Sequence, residues 1–181
     1  MANEMLSPFR ATRYVVSVDR IDIDALVAAG VRLVLLDRDN TCIPRDTHVV
    51  PPAIGAWLDR LRNSGIAMCL LSNNFHSAEV AASASQLGCP VVDHAMKPAP
   101  FSAWVAMARM GVGPEQTIVV GDQVFTDVLA GNLAGARTIL VRPQSRRDLW
   151  YTQVFRLGEA LVLRGVKFEG ESAGAPGRSA G

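Results

Sequence analysis

The chain has 181 residues, 49% of them apolar, which suits one domain with a sizeable buried core. Its 18 basic and 17 acidic side chains nearly cancel, so no global field favours nucleic acid and none is expected as a partner. Three cysteines without CxxC spacing, and no apolar stretch near the ~20 residues that cross a bilayer, point to a reduced cytoplasmic protein without a transmembrane segment.

Residues 1–20, with Pro8 and several arginines, read as irregular, and Asp22 to Ala29 as a short helix closed by Gly30. Residues 32–37 follow as a strand whose run Leu33-Val34-Leu35-Leu36 suits burial on both faces. A loop over 40–50 leads to Pro51-Pro52, a helix start, and Ile54, Trp57, Leu58 and Leu61 recur at helical spacing up to Gly65. Strand two is Ile66 to Leu71, helix 77–87 is Ala-rich, and strand three is the brief Pro90 to Val92. Helix 99–110 carries Phe101, Trp104, Val105 and Ala108 on one face, and both Trp57 and Trp104 are expected in the core. Strand four, Thr117 to Val120, a helix over 126–134, strand five over 137–142 and an amphipathic helix over 147–163 complete the pattern. Residues 1–168 form a single domain on this reading, 1–30 being an extension packed on it. The Gly-, Ser-, Ala- and Pro-rich residues 169–181 are a disordered tail.

Strand–helix alternation of this kind predicts an α/β fold, a five-stranded parallel sheet with helices on both faces. The carboxyl ends of such strands share one edge, where ligands of open sheets collect. Strand one ends there in Asp37 and Asp39, strand two in Ser72 and Asn73, strand four in Asp122, and Lys97 follows strand three. Two carboxylates ending a buried strand need a cation or donors. Lys97 is one of only two lysines beside sixteen arginines, which makes its type informative.

A phosphate monoester placed among these groups meets everything its hydrolysis needs. Asp37 can attack phosphorus to give an aspartyl-phosphate. Asp39, two residues on, can serve the leaving alkoxide as acid and the later water as base. Mg²⁺ takes few protein oxygens, and Asp37 and Asp122 suit it. Lys97 would offset charge on the nucleophile and the transferred group, while Ser72 and Asn73 would hold phosphate oxygens. Thr41 is expected to hydrogen-bond within the turn after the nucleophile. Asp127 reads either as an N-terminal helix charge or as a group orienting Lys97 or a metal-bound water. His48, His76 and His94 show no metal spacing.

Four segments resemble, in order, the motifs of the haloacid dehalogenase (HAD) phosphohydrolase superfamily: Asp37-Arg38-Asp39-Asn40-Thr41, Ser72, Lys97-Pro98, and Gly121-Asp122 through Asp127. The resemblance implies that Asp37 is the nucleophile, and that Asp39 is the acid/base and lends its backbone carbonyl to Mg²⁺. A finer likeness, through Ser72-Asn73-Asn74, Gly121-Asp122-Gln123, Thr126-Asp127-Val128 and Gly131-Asn132, is to the YqeG-type branch of subfamily IIIA, which includes phosphatidylglycerophosphatases. It implies a phosphatase, with phosphatidylglycerophosphate the favoured substrate. A soluble sugar or nucleotide phosphate is the alternative within the enzyme class, and an inactive HAD-like binding protein the alternative outside it. The family usually has an apolar residue where this chain has Arg38. By strand alternation Arg38 is expected to point away from both aspartates, its stem packed and its head in solvent.

The intervals from Asp39 to Ser72 and from Ser72 to Lys97 are too short for a cap domain, so an open site is expected. An open site suits a phosphate on something large, such as a lipid headgroup at a membrane surface. Peripheral attachment at the inner face of the membrane would follow, with Arg142, Arg146 and Arg147 beside the catalytic edge as the basic surface.

Overall fold

The computed structural model describes residues 7–73, 85–92, 95–145, 158–159 and 162–171. Six parallel strands form its sheet: β1 (Arg13–Val15), β2 (Leu33–Asp37), β3 (Ala67–Leu71), β4 (Val91–Val92), β5 (Thr117–Gly121) and β6 (Arg137–Val141), in the order β1-β6-β5-β2-β3-β4. The sheet therefore has one strand more than expected. The extra strand, β1, lies in the segment read as irregular. Three residues carry no usable periodicity, and what makes them a strand is long-range pairing of Arg13, Tyr14 and Val15 with Ile139, Leu140 and Val141.

Four helices of the described chain flank the sheet: α1 (Ile23–Ala28), α2 (Pro52–Asn63), α3 (Phe101–Met110) and α4 (Leu129–Leu133). Asp22 caps α1 by accepting from the backbone N–H groups of Asp24 and Ala25. Proline at the start of α2 offers a preset φ where its missing N–H costs nothing. A π-helical turn, Val124–Val128, runs directly into α4. Most of the expected helices 77–87 and 147–163 falls outside the described residues; 85–87, 158–159 and 162 are helical.

Every residue of β2 is buried, and its side chains divide the core. Val34 and Leu36 join Ile54, Trp57, Leu58 and Leu61 of α2 on one side. Leu33 and Leu35 meet Ala103, Ala106 and Met107 of α3 on the other. Trp57 is fully buried as expected, and its indole N–H donates to the carbonyl of Ile21 at 2.7 Å. Trp104 is not in the core: it is 46% exposed. α3 has apolar residues almost all round, so the pattern does not say which side faces the sheet. The side that does carries Ser102, Ala103, Ala106 and Met107, leaving Phe101, Trp104, Val105 and Ala108 outward.

Glu169, assigned by composition to the tail, is held against β1. Its N–H donates to the carbonyl of Tyr14, its carbonyl accepts from Val16, and its carboxylate pairs with Arg13 at 2.5 Å. Composition misplaces Glu169, because backbone pairing needs no apolar side chain. Residues 172–181 lie outside the described chain.

From β2 the chain steps outward through β3 and β4, then returns to the other side of β2 with β5. This reversal opens a crevice between the carboxyl ends of β2 and β5, the usual ligand position in such sheets. Asp37 closes β2, and Asp122 follows β5 directly. Between Asp39 and Ser72 the chain forms only a loop, α2 and β3, with no inserted domain.

Candidate active site

Lys97 organises the carboxyl edge. Its ammonium donates to Asp37 Oδ1 at 2.5 Å, to Asp127 Oδ1 at 2.6 Å and to the carbonyl of Leu71 at 3.1 Å. An ammonium has three hydrogens, and three acceptors from three chain segments meet it. The backbone of Lys97 is fixed in turn by Asn73, whose side-chain oxygen accepts from Lys97 N–H at 2.9 Å and whose amide donates to the Lys97 carbonyl at 3.1 Å. Burial alone would lower the Lys97 pKa, but the carboxylates of Asp127 and Asp37 more than offset it and the pKa is raised. The lysine is a fixed positive charge.

Asp127 is 2% exposed, and both its oxygens are engaged, Oδ2 accepting from the backbone N–H of Gln123 at 3.1 Å. Burial raises its pKa, while Lys97 pulls it back. Of the two readings of Asp127, the one that orients Lys97 matches this geometry. Gly121 makes it possible, because a Cβ there would collide with the Asp127 carboxyl.

Carboxylate oxygens of Asp37, Asp122 and Asp127 lie within 4.8 Å of one another. An all-oxygen donor set suits a hard divalent cation. With Asp127 committed to Lys97 and Gln123, the carboxylates best placed to hold one are Asp37 and Asp122. Thr41 differs from expectation: rather than closing its own turn, its hydroxyl reaches across to Asp122 Oδ1 at 3.4 Å. Thr41 is completely buried, so the next strand end is its nearest polar surface.

Asp39 stands apart from this cluster, nearer solvent. Burial and the neighbouring Asp37 raise its pKa, and Arg38 and Arg45 moderate the rise. Here the expectation for Arg38 fails. Its guanidinium lies 2.9 Å from Asp39 Oδ1, and only 8% of its side chain is exposed. Strand alternation does not reach this residue, because β2 ends at Asp37 and the chain turns at Asn40, whose φ is 60°. Arg45 approaches the other Asp39 oxygen at 3.9 Å.

Ser72 is buried at the end of β3, its N–H bonded to Val92 and its carbonyl to Ala95. Asn73 is used differently from expectation, as its side chain serves Lys97. Arg142 pairs with Glu171 and covers the Phe168 ring 4.2 Å from its centroid, while Arg146 and Arg147 lie outside the described residues. His76 and His94 lie outside them as well. The thiols are poor nucleophiles, since burial raises Cys42 and pushes Cys69 and Cys89 up to about 11.

Two supporting residues escaped the sequence reading. Asn40, fully buried, accepts through Oδ1 from Arg45 N–H and from the Ser145 hydroxyl, and its carbonyl accepts from Gln144 N–H. It ties the loop after β2 to the chain after β6. Asn tolerates positive φ, which was the one available signal. Glu159, 4% exposed, accepts from Val124 N–H at 2.7 Å and so anchors the start of the π-helical turn. Nothing local marks it.

Residues 94–151 match a family described as HAD-hydrolase-like. The chain is 31% identical to the probable phosphatase YqeG of Bacillus subtilis, over 90% of this chain and 94% of that protein. It is 32% identical to the chloroplastic phosphatidylglycerophosphate phosphatase 1 of Chlamydomonas reinhardtii, covering 83% of this chain and 60% of that one. Among solved structures, the cobalt-bound deoxy-D-mannose-octulosonate 8-phosphate phosphatase of Haemophilus influenzae shares the fold. Its TM-score is 0.51 at 16% identity, over 75% of this chain and 89% of that one.

Proposed function

We propose, for a chain that belongs to the YqeG family of HAD-type phosphatases, a hydrolysis in two steps through an aspartyl-phosphate on Asp37. As a member of that family the protein is a phosphoric monoester hydrolase. The observation that carries the mechanism is the clamp of Lys97 on Asp37 and Asp127, at the strand end where Asp122 stands alongside.

In the first step Asp37 attacks phosphorus and the ester P–O bond breaks. The departing alkoxide takes a proton from Asp39, whose raised pKa favours the protonated form this requires. In the second, Asp39 as carboxylate takes a proton from water, whose oxygen attacks phosphorus. The acyl-phosphate P–O bond breaks, releasing inorganic phosphate and free Asp37. Lys97 offsets charge on the nucleophile and on the transferred group. Ser72 and the backbone N–H of Asn73 are our assignment for the phosphate oxygens. Mg²⁺ held by Asp37 and Asp122, with the Asp39 backbone carbonyl, would supply further positive charge to the phosphate.

The substrate we favour is phosphatidylglycerophosphate, on two grounds. The Chlamydomonas relative is named for that activity, and no inserted domain between Asp39 and Ser72 shields the site from a bulky or membrane-bound substrate. No helix among the described residues is long and apolar enough to cross a membrane, so such a substrate would be met at the membrane surface.

A panel of lipid and metabolite phosphates, assayed with and without Mg²⁺, tests both parts. The expected result is Mg²⁺-dependent release of phosphate, fastest from phosphatidylglycerophosphate. In Asp37→Asn it falls at least about a thousandfold, or ~4 kcal/mol of barrier. Preference for a sugar or nucleotide phosphate would overturn the lipid assignment. An Asp37→Asn enzyme retaining a tenth of kcat would overturn the mechanism.

A further inference from the structure

We propose that the outward face of α3, formed by Phe101, Trp104 and Val105 with Met96 at its upper end, docks the enzyme onto an anionic lipid bilayer. This seats the catalytic edge in the headgroup layer. The inference rests on the lipid-phosphate reading above and states how the site reaches such a substrate.

Exposed apolar side chains are unevenly distributed. Among the described residues seven large ones are exposed, and four of them fall between residues 96 and 105: Met96 at 62%, Phe101 at 56%, Trp104 at 46% and Val105 at 41%. Single exposed apolar residues mean little, whereas a contiguous group marks a contact surface. Phe101 and Trp104 form one aromatic surface, edge to face with centroids 5.6 Å apart. On α3, positions 101, 104, 105 and 108 lie on one side, opposite the face that meets the sheet. The helix is apolar on both sides, and the sheet covers only one.

Position connects this face to the chemistry. Met96 immediately precedes Lys97, and α3 begins four residues after it. The connection is stiff: Pro98 and Pro100 fix φ, and Ala99 N–H closes a turn onto the Met96 carbonyl at 3.0 Å. At about 1.5 Å of rise per residue, Trp104 and Val105 lie about 5 Å beyond Phe101 along the helix axis. Amphipathic surfaces bury their apolar faces to about 5–10 Å, so one shallow insertion accommodates the whole patch.

Charge selects the occupant. Residues 95–112 contain no Asp or Glu, and since Lys97 is buried between Asp37 and Asp127, Arg109 is the cation this stretch turns outward. Arg109 is exposed one residue past Ala108 of the outward face, where it can meet lipid phosphate. Tryptophan beside a cation suits the zone between acyl chains and headgroups.

The full chain is mixed with phosphatidylglycerol–phosphatidylcholine vesicles whose acyl chains are brominated, and tryptophan emission is recorded for wild type and Trp104→Phe. Quenching carried by Trp104 is expected, and quenching that persists unchanged in Trp104→Phe overturns the proposal. In parallel, Phe101→Gln/Trp104→Gln/Val105→Gln is compared with wild type. Its vesicle affinity, and its kcat/KM on phosphatidylglycerophosphate in vesicles, should fall about thirtyfold, ~2 kcal/mol at 1.4 kcal/mol per decade. Turnover of p-nitrophenyl phosphate should not change, which also shows that the variant is folded. Equal vesicle binding by variant and wild type overturns the proposal. So does a wild type that ignores vesicles but self-associates through this face, with the triple variant monomeric. A protein that binds vesicles through Trp104 but hydrolyses no phosphate ester would leave docking standing and remove the phosphatase mechanism instead.

Discussion

Lys97 donates all three of its ammonium hydrogens, to Asp37, to Asp127 and to the Leu71 carbonyl. A guanidinium is planar and wider, with its donors in a fixed fork, so it cannot meet three acceptors converging on one point. Lys97→Arg should therefore lower kcat at least about a hundredfold, roughly 3 kcal/mol of barrier, although the charge is kept. Steady-state kinetics beside a thermal melt would check this, and wild-type kcat in the variant would refute the lysine's role. Asp37 and Lys97 stood out in the sequence, because a carboxylate ending a buried strand and a rare lysine have few structural reasons to be there, whereas Asp127 also read as a helix-start charge. Arg38 was not legible. Its direction depends on where β2 stops and on the positive φ of Asn40, neither of which alternation reports. The outcome is an arginine whose head is buried against Asp39 where solvent was expected.

The connection from β5 to α4 shows how one element serves the site. Gly121 ends the strand without a Cβ, and Asp127 folds into the space left over it to reach Lys97. Gly121→Ala should push Asp127 aside, costing about 1–3 kcal/mol of stability as overpacking does. It should also reduce kcat by more than that destabilisation explains, and urea unfolding with kinetics on the same sample separates the two losses. An alanine variant with unchanged kcat would mean that Asp127 need not hold Lys97. Elements with one apolar stripe, such as α2, were readable together with their buried side. α3 was readable as a helix but not for its facing. Alanines at 103 and 106 allow close approach to the sheet, while the larger Phe101 and Trp104 remain outside. β1 was missed for the opposite reason, as its three residues acquire a strand only by pairing with β6.

At the scale of the whole fold, the segment around Glu169 is fastened to β1 at the sheet edge. Residues near the C-terminus pair with β1 through backbone bonds of Glu169 and through the Arg13–Glu169 ion pair. The hydrogen bond from Arg13 holds the Glu169 carboxyl below its ordinary range. A depressed pKa in the folded state means that the clip adds stability above the usual glutamate range and loses it as pH falls through the depressed value. The pair is largely exposed, so the effect is local. Hydrogen exchange of the Glu169 amide should rise on acidification relative to Glu169→Gln, after correction for the intrinsic pH dependence. A parallel response in that variant would assign it to another group. Such long-range fastening leaves no trace in local composition, which is why residues 169–171 read as tail. At the carboxyl ends of the central strands, Asp37 and Asp122 meet Lys97, and the proposed aspartyl-phosphate forms there on Asp37. Rapid acid quenching of the enzyme during turnover of a radiolabelled phosphate ester tests it most directly. The expected result is a burst of released alcohol matched by label bound to the protein as an acyl phosphate, labile to hydroxylamine and mapping to Asp37. A burst with no label on the protein, or label that persists in Asp37→Asn, would contradict it.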